Sequence, residues 1–286
     1  VSVRTSDHTL EKQGAVEEFA AVYFKAMRGI TQQQPWARPD IVVLEFFGGD
    51  GRPDGSTAIF DRRLHALDLR HRLLVFERNP TCARLLRQFP CPDLRLFPGA
   101  CGERIDEALV FLPELPSGQK QFGLVYIDPN NGRIPVTITQ SVIWRQGYDR
   151  VDVLIHVATR VARRIQGAGI MRAGLDADIR ALGKRHRLVR YFGSSNHDWA
   201  LVCATNWPNP AKLAGYLDID NDPRGHDLWQ RLTTTQVARD TERQQRLVYP
   251  PNNPIGHTLN ISDTHGFSPS APSCSAGRAG AASAAE

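Results

Sequence analysis

Cysteine is scarce in this chain. The five residues, Cys82, Cys91, Cys101, Cys203 and Cys274, are odd in number and contain no Cys-x-x-Cys pair. The first three lie nine and ten residues apart, which matches no usual zinc spacing. A disulfide framework is thereby excluded, and the cysteines read as free thiols in a reducing cytoplasm. No apolar run reaches the roughly 18 residues of a membrane span. The polar residues 1–14 lack the apolar stretch of a signal peptide. A cytoplasmic location and no membrane partner are therefore expected. The nine histidines are scattered, with no His-Glu-x-x-His or similar constellation, so no metal is expected. The dinucleotide pattern G-x-G-x-x-G is also missing. Counted from Gly49, its sixth position is Asp54, which argues against a nicotinamide oxidoreductase. No internal repeat is present.

What remains is an ordinary globular composition. The 286 residues are 41% hydrophobic and 23% charged, with a net charge of +5 carried mostly by arginine. The basic balance leans toward polyanionic partners without establishing one. Residues 15–28 read as a helix, because Val16, Phe19, Ala20, Tyr23, Met27 and Ile30 recur at three- and four-residue steps. Gly29 marks its expected end, and residues 31–39 form a loop. From Ile41 the pattern becomes strand, turn, helix, repeated. Strands are expected at 41–46, 73–76, 94–97, 122–127 and 151–157. Helices fall between them at 57–67, 81–88 and 103–112, and one follows at 158–166. Helix-length connections imply parallel pairing. Residues 188–192 and 199–205 are separated by only six residues, so they pair antiparallel. The four expected parts are a helical lead-in (1–40), an α/β domain (41–210), a helical or irregular extension (211–267) and a disordered tail (268–286). The extension includes a polar helix at 228–247. The tail is poor in large apolar residues.

Three segments carry chemistry. In Leu44-Glu45-Phe46-Phe47-Gly48-Gly49-Asp50-Gly51 an acid ends the first strand and glycines follow at once. Glycine lets the backbone turn sharply and approach a ligand closely, and the next helix points its amino end at the same place. A tight turn without a ligand is the alternative. Glu77, followed by Arg78, stands directly after the second strand, where an acid can accept hydrogen bonds from ribose hydroxyls. A solvated ion pair is the alternative there. Finally, Ile127-Asp128-Pro129-Asn130-Asn131-Gly132 places an acid and a proline at the carboxyl end of the fourth strand, where open α/β sheets bind ligands; an Asp-Pro turn with a tight Asn-Asn-Gly loop is the alternative.

The first segment resembles the opening motif of many nucleic-acid methyltransferases. The third resembles the Asp-Pro-Pro-aromatic motif of methyltransferases that modify exocyclic amino groups, with Asn130 and Asn131 in place of the second proline and the aromatic. Together, through about residue 206, the chain resembles the three-Cys-motif partner proteins, class I methyltransferase-like proteins of bacterial gene neighbourhoods. The resemblance implies a Rossmann-like class I methyltransferase fold: an α/β architecture with a mostly parallel seven-stranded sheet, an antiparallel last strand and helices on both faces. It implies S-adenosyl-L-methionine as cofactor, held by Glu45, Phe47, Gly48, Gly49, Gly51, Glu77 and Arg78. It implies Asp128, Pro129 and Asn130 at the reacting centre, and a partner protein encoded nearby.

Two functions stay open at this stage. One is a methyltransferase acting on nucleic acid or another amine-bearing substrate. The other is a non-catalytic module that keeps the fold inside a bacterial defence or mobile-element complex. The basic residues Arg160, Arg163, Arg164, Arg172, Arg180, Lys184, Arg185, Arg187 and Arg190 can track a phosphate backbone or form a solvated face. His156 is either a base or a satisfied interior histidine. Residues 196–199 read equally as a substrate contact or a hairpin turn.

Overall fold

The computed structural model describes residues 7–129, 134–158, 172–193, 198–209, 213 and 215–233. The tail and most of the extension expected from composition, the helix expected at 158–166, and Asn130 and Asn131 lie outside the described residues, apart from Ala158, the last residue of the fifth strand.

The element order is α1 (Asp7–Gln33), β1 (Ala37–Glu45), α2 (Ser56–Ala66), β2 (His71–Glu77), α3 (Pro80–Leu86), β3 (Leu94–Pro98) and α4 (Cys101–Leu109). It continues with β4 (Lys120–Ile127), α5 (Val136–Ile143), β5 (Arg150–Ala158), α6 (Arg172–Ala181), β6 (His186–Gly193), β7 (Asp198–Thr205), β8 (Leu217–Asp218) and α7 (Pro223–Thr233). The strands form one sheet in the order β3-β2-β1-β4-β5-β7-β6-β8. Strands β1 to β5 pair in parallel, whereas β7 runs antiparallel to both β5 and β6. This is a Rossmann-like, class I methyltransferase-type sheet with an antiparallel closing strand. One strand more than expected is present. The two-residue β8 pairs with β6 and is too short to leave a period in the sequence.

Alternation along the strands builds two cores. Ile41, Val43, Leu73, Val75, Leu124 and Tyr126 face one side, with Phe19, Tyr23 and Phe24 of α1, Ile59 and Phe60 of α2 and Leu86 of α3. Val42, Leu44, Leu74, Phe76, Val125 and Ile127 face the other, with Ile105 of α4, Val142 of α5, Ile179 of α6 and Trp229 and Leu232 of α7. A period of two sends successive side chains to opposite faces, so each buried strand supplies both layers.

The opening helix is longer than its apolar repeat suggests. It begins at Asp7 and runs through Gly29 to Gln33, so Gly29 does not end it. Its amino-terminal part is polar because part of it faces a cavity rather than the core. The loop expected at 31–39 is correspondingly short, since β1 starts at Ala37. The polar helix expected at 228–247 begins earlier, at Pro223. No helix among the described residues is long and apolar enough to cross a membrane.

Candidate functional site

The sheet reverses direction of winding at β1, with β2 on one side and β4 on the other. Ligands of open α/β sheets bind at the carboxyl ends of strands at such a point. A cavity of about 310 Å³ opens there, lined by the glycine turn after β1, the start of α2, Cys82 of α3, Tyr126 of β4 and Asp128 just after it, and Lys12, Gln13 and Val16 of α1.

The turn after β1 extends the ladder before leaving it. Phe46 N–H donates to Tyr126 O (3.1 Å), and Gly48 N–H donates to Phe76 O (2.9 Å). A Cβ on Gly48 would lie 2.2 Å from Val75 Cγ1, so no larger residue fits there. Gly49 and Gly51 take φ of +64° and +68°, a region that L side chains rarely adopt. Nothing lies within 4 Å of where a Cβ of Gly49 would sit, so this backbone faces open space.

Three acids stand around this turn in different settings. Glu45 is 1% exposed and does not line the cavity. It lies beneath the turn, accepting hydrogen bonds from Ser56 Oγ and from Thr57 Oγ1 (2.5 Å) at the amino end of α2. Burial pushes its carboxyl up to about 7 against the pull of those two hydroxyls. Glu77 ties the neighbouring loops together. Its Oε2 accepts from Gly49 N–H (2.8 Å) and its Oε1 from Asn79 N–H (2.6 Å). Asn79 in turn caps α3 by accepting from Thr81 N–H (2.9 Å), with Pro80 at the first helical position. Asp128 forms two ion pairs, at 2.7 Å with Lys12 Nζ through Oδ2 and at 2.7 Å with His156 Nδ1 through Oδ1. Burial favours its neutral form, but His156 and Lys12 outweigh that and hold the carboxyl well below the ordinary range.

Of the residues expected at a cofactor site, Phe47, Gly48, Gly49 and Gly51 line the cavity, and Glu77 is bonded to its rim. Glu45 lies behind it. Arg78 is exposed and off the lining. Asp128 lines the cavity and Pro129 is buried beside it. His156, which sequence left undecided, is drawn to Asp128 by the parallel pairing of β4 and β5. Lys12 had no signal at all, because it precedes the apolar repeat of α1.

Four of the nine basic residues of the arginine-rich stretch are committed inside the chain. Arg187 is 3% exposed and pairs with Asp176 (2.5 Å) and Asp220. Arg180 pairs with Asp176 at 2.6 Å, Arg190 with Glu18 at 2.8 Å, and Lys184 donates to the carbonyls of Asp149 and Val151. These four do not form a free phosphate-tracking face. Positions 160, 163 and 164 lie outside the described residues.

A second cluster, absent from the sequence reading, lies at the far end of α2. Asp61, His65 and His71 bring one ligand-type atom each within 4.8 Å of one another. A helix and a strand assemble this group, so no contiguous pattern announces it.

No protein-family model matches the chain, and no curated protein matches it in sequence. Solved structures give partial superpositions. Aeropyrum pernix fibrillarin, crystallised with natively bound S-adenosyl-L-methionine, is 17% identical over 65% of this chain and 76% of its own, with a TM-score of 0.40. TYW2 of M. jannaschii, in complex with AdoMet, is 13% identical over 71% and 76%, with a TM-score of 0.36. A duf574 family protein of Streptomyces avermitilis is 11% identical over 68% and 82%, with a TM-score of 0.41. The fold assignment rests on the strand order and pairing of this chain itself.

Proposed function

We propose that this chain binds S-adenosyl-L-methionine in the cavity between β1, α2 and β4 and transfers its methyl group to an amine-bearing acceptor, with nucleic acid the first candidate class. The observation that carries this reading is that the glycine turn and Asp128 line one cavity at the winding reversal of the sheet, with Glu77 bonded to the turn at its rim. A volume of about 310 Å³ suits a ligand of that size. The donor set also fits. Each Glu77 oxygen accepts one backbone N–H, and an ionised carboxylate offers about four acceptor sites, which leaves capacity for two ribose hydroxyls. Gly49 lets the ligand lie against bare backbone, Gly48 and Gly51 let the turn pack against Val75 and Leu86 beneath it, and Phe47 supplies an apolar wall.

When bound, the sulfonium group supplies an electrophilic methyl. The chain's own residues position the acceptor. Asp128, kept anionic by Lys12 and His156, accepts a hydrogen bond from the amine, with Pro129 and Asn130 assigned to the same role by their motif. A carboxylate held that far below its usual range is a weak proton acceptor near neutral pH, so orientation rather than deprotonation is its role. Membership in the three-Cys-motif partner proteins, with a partner protein encoded nearby, belongs to the same proposal. So does a cytoplasmic location, which the four described cysteines, all free thiols, support.

The test is radiolabelled methyl transfer to DNA, RNA and protein pools. Asp128→Ala is expected to lower incorporation at least ~100-fold while cofactor affinity stays within a few-fold. Asp128→Asn, which keeps an oxygen acceptor, is expected to retain part of the activity. Equal incorporation by the intact and Asp128→Ala proteins would remove Asp128 from the mechanism. Cofactor binding with no incorporation into any pool would shift the reading to the non-catalytic module.

A further inference from the structure

The first two turns of α1 are held differently from the rest of the helix. From Ala15 onward apolar burial anchors it: none of Ala15, Val16, Phe19, Ala20, Tyr23 and Phe24 is more than 5% exposed. Glu17 adds ion pairs to Arg62 (2.6 Å) and Arg63 (2.8 Å) of α2, and Glu18 one to Arg190 (2.8 Å) of β6. Residues 10–14 are half-buried at most, and Leu10 points its apolar side chain at solvent. Polar contacts hold this part down. Lys12 Nζ donates to Asp128 Oδ2 at 2.7 Å, and Trp199 Nε1 of β7 donates to Glu11 Oε2 at 3.3 Å.

Gly14 stands where the two parts meet. Nothing lies within 4 Å of where its Cβ would sit, so no packing contact demands glycine there. Inside a helix glycine costs about 1 kcal/mol relative to alanine. A part-exposed ion pair and a long hydrogen bond contribute on the order of 1 kcal/mol each, far less than the buried side chains beyond Ala15. A segment with so few buried apolar contacts opens locally while the core stays folded. Lys12 and Gln13 also line the cavity that Gly48, Gly49 and Asp128 line. Gln13 Oε1 is buried there with no hydrogen-bond partner. A stranded acceptor of this kind is costly, and a donor on a bound ligand removes the cost.

We propose that Asp7–Gly14 is a strap hinged at Gly14, which closes over the bound cofactor and presents Gln13 Oε1 as an acceptor for one of its donors. The strap rests on the reading of this cavity as an S-adenosyl-L-methionine site. In the closed position Lys12 pairs with Asp128 and fastens the strap to the end of β4. Opening breaks that pair and the Glu11–Trp199 bond, gives up little apolar burial, and lets water reach Gln13. Binding supplies Gln13 with a partner inside the closed cavity instead, so the ligand shifts the balance toward the closed strap.

The experiment follows the full chain with and without S-adenosylhomocysteine, by amide hydrogen exchange, melting temperature and radiolabelled ligand dissociation. Amides 11–14 are expected to exchange faster than those of residues 19–30 in the free chain and to slow when the ligand binds. Gly14→Ala should slow them about five-fold in the free chain, the equivalent of ~1 kcal/mol. Lys12→Met should speed ligand dissociation about 10-fold. Gln13→Met keeps the length of the side chain and removes the stranded acceptor. It is expected to leave the melting temperature of the free chain equal or higher while weakening the ligand about 10-fold. A lower melting temperature with unchanged affinity would make Gln13 a structural residue and overturn the proposal. So would bound ligand that leaves amides 11–14 unprotected, or a dissociation rate indifferent to Lys12→Met. Each of these leaves the cofactor reading standing, whereas no uptake of S-adenosylhomocysteine would overturn that reading and the strap with it.

Discussion

Glu45 and Asp128 end adjacent strands, yet their environments drive them in opposite directions. Glu45 is sealed under the glycine turn and rises from 4.5 to about 7 through burial. Asp128 meets Lys12 and His156 and falls. A carboxyl whose folded pKa is raised binds a proton more tightly in the native state. Its stabilising contribution is full below about 4.5 and is lost as pH rises through about 7. At ~1.4 kcal/mol per unit this amounts to on the order of 3 kcal/mol. Asp152, raised to about 6 by burial, acts in the same direction over a narrower window. Asp128 acts oppositely, and only in more acidic solution. The melting temperature is therefore expected to fall between about pH 5 and 7.5. Glu45→Gln, which cannot ionise but keeps an oxygen for the hydroxyls of Ser56 and Thr57, should flatten most of that slope. Calorimetric scans at several pH values decide it, and an identical slope in both proteins would show that Glu45 is not the titrating group. Sequence placed Glu45, Glu77 and Asp128 correctly at strand ends. It could not show that Glu45 turns inward, because direction depends on whether Ser56 and Thr57 reach back to it.

At the scale of elements, α1 does more than precede the sheet. Tyr23 stacks on Phe19 and Trp207, with centroids 5.1 and 5.4 Å away, and its hydroxyl donates to the Gly123 carbonyl at 2.5 Å. The same oxygen lies 3.1 Å from Asp152 Oδ2, a carboxyl buried in β5. Tyr23→Phe keeps the stack and removes both polar contacts. It is expected to cost about 1–3 kcal/mol, the penalty for stranding a buried acceptor. Urea unfolding measures this, and an unchanged midpoint would mean that Asp152 is satisfied without α1. The apolar repeat from Val16 to Ile30 made the helix legible, while its first two turns were not, since Lys12 and Gln13 face a cavity and carry no periodicity. Gly29 misled because its position was read as a stop signal, whereas the helix continues through its backbone bonds. The short helix α5 and the two-residue strand β8 left no readable period. Their places are set by packing against β5 and pairing with β6.

For the whole molecule, the order β3-β2-β1-β4-β5-β7-β6 follows from two features visible in the chain: helix-length connections early, and one short connection late. The role of the basic surplus was not visible, because opposite charges far away in sequence decide it. Arg187 meets Asp176 and Asp220, and Arg190 meets Glu18. A +5 chain therefore carries less free positive surface in this region than its composition suggests. The cavity, in contrast, is built where the topology demands it, and S-adenosyl-L-methionine is the ligand proposed for it. The most direct measurement is isothermal titration of the intact chain with S-adenosylhomocysteine, beside NAD and beside the Glu77→Ala variant. One site is expected for S-adenosylhomocysteine and none for NAD. A loss of about 1–3 kcal/mol is expected in Glu77→Ala, from the ribose hydrogen bonds removed. No heat of binding at millimolar S-adenosylhomocysteine, or equal affinity in the variant, would contradict it.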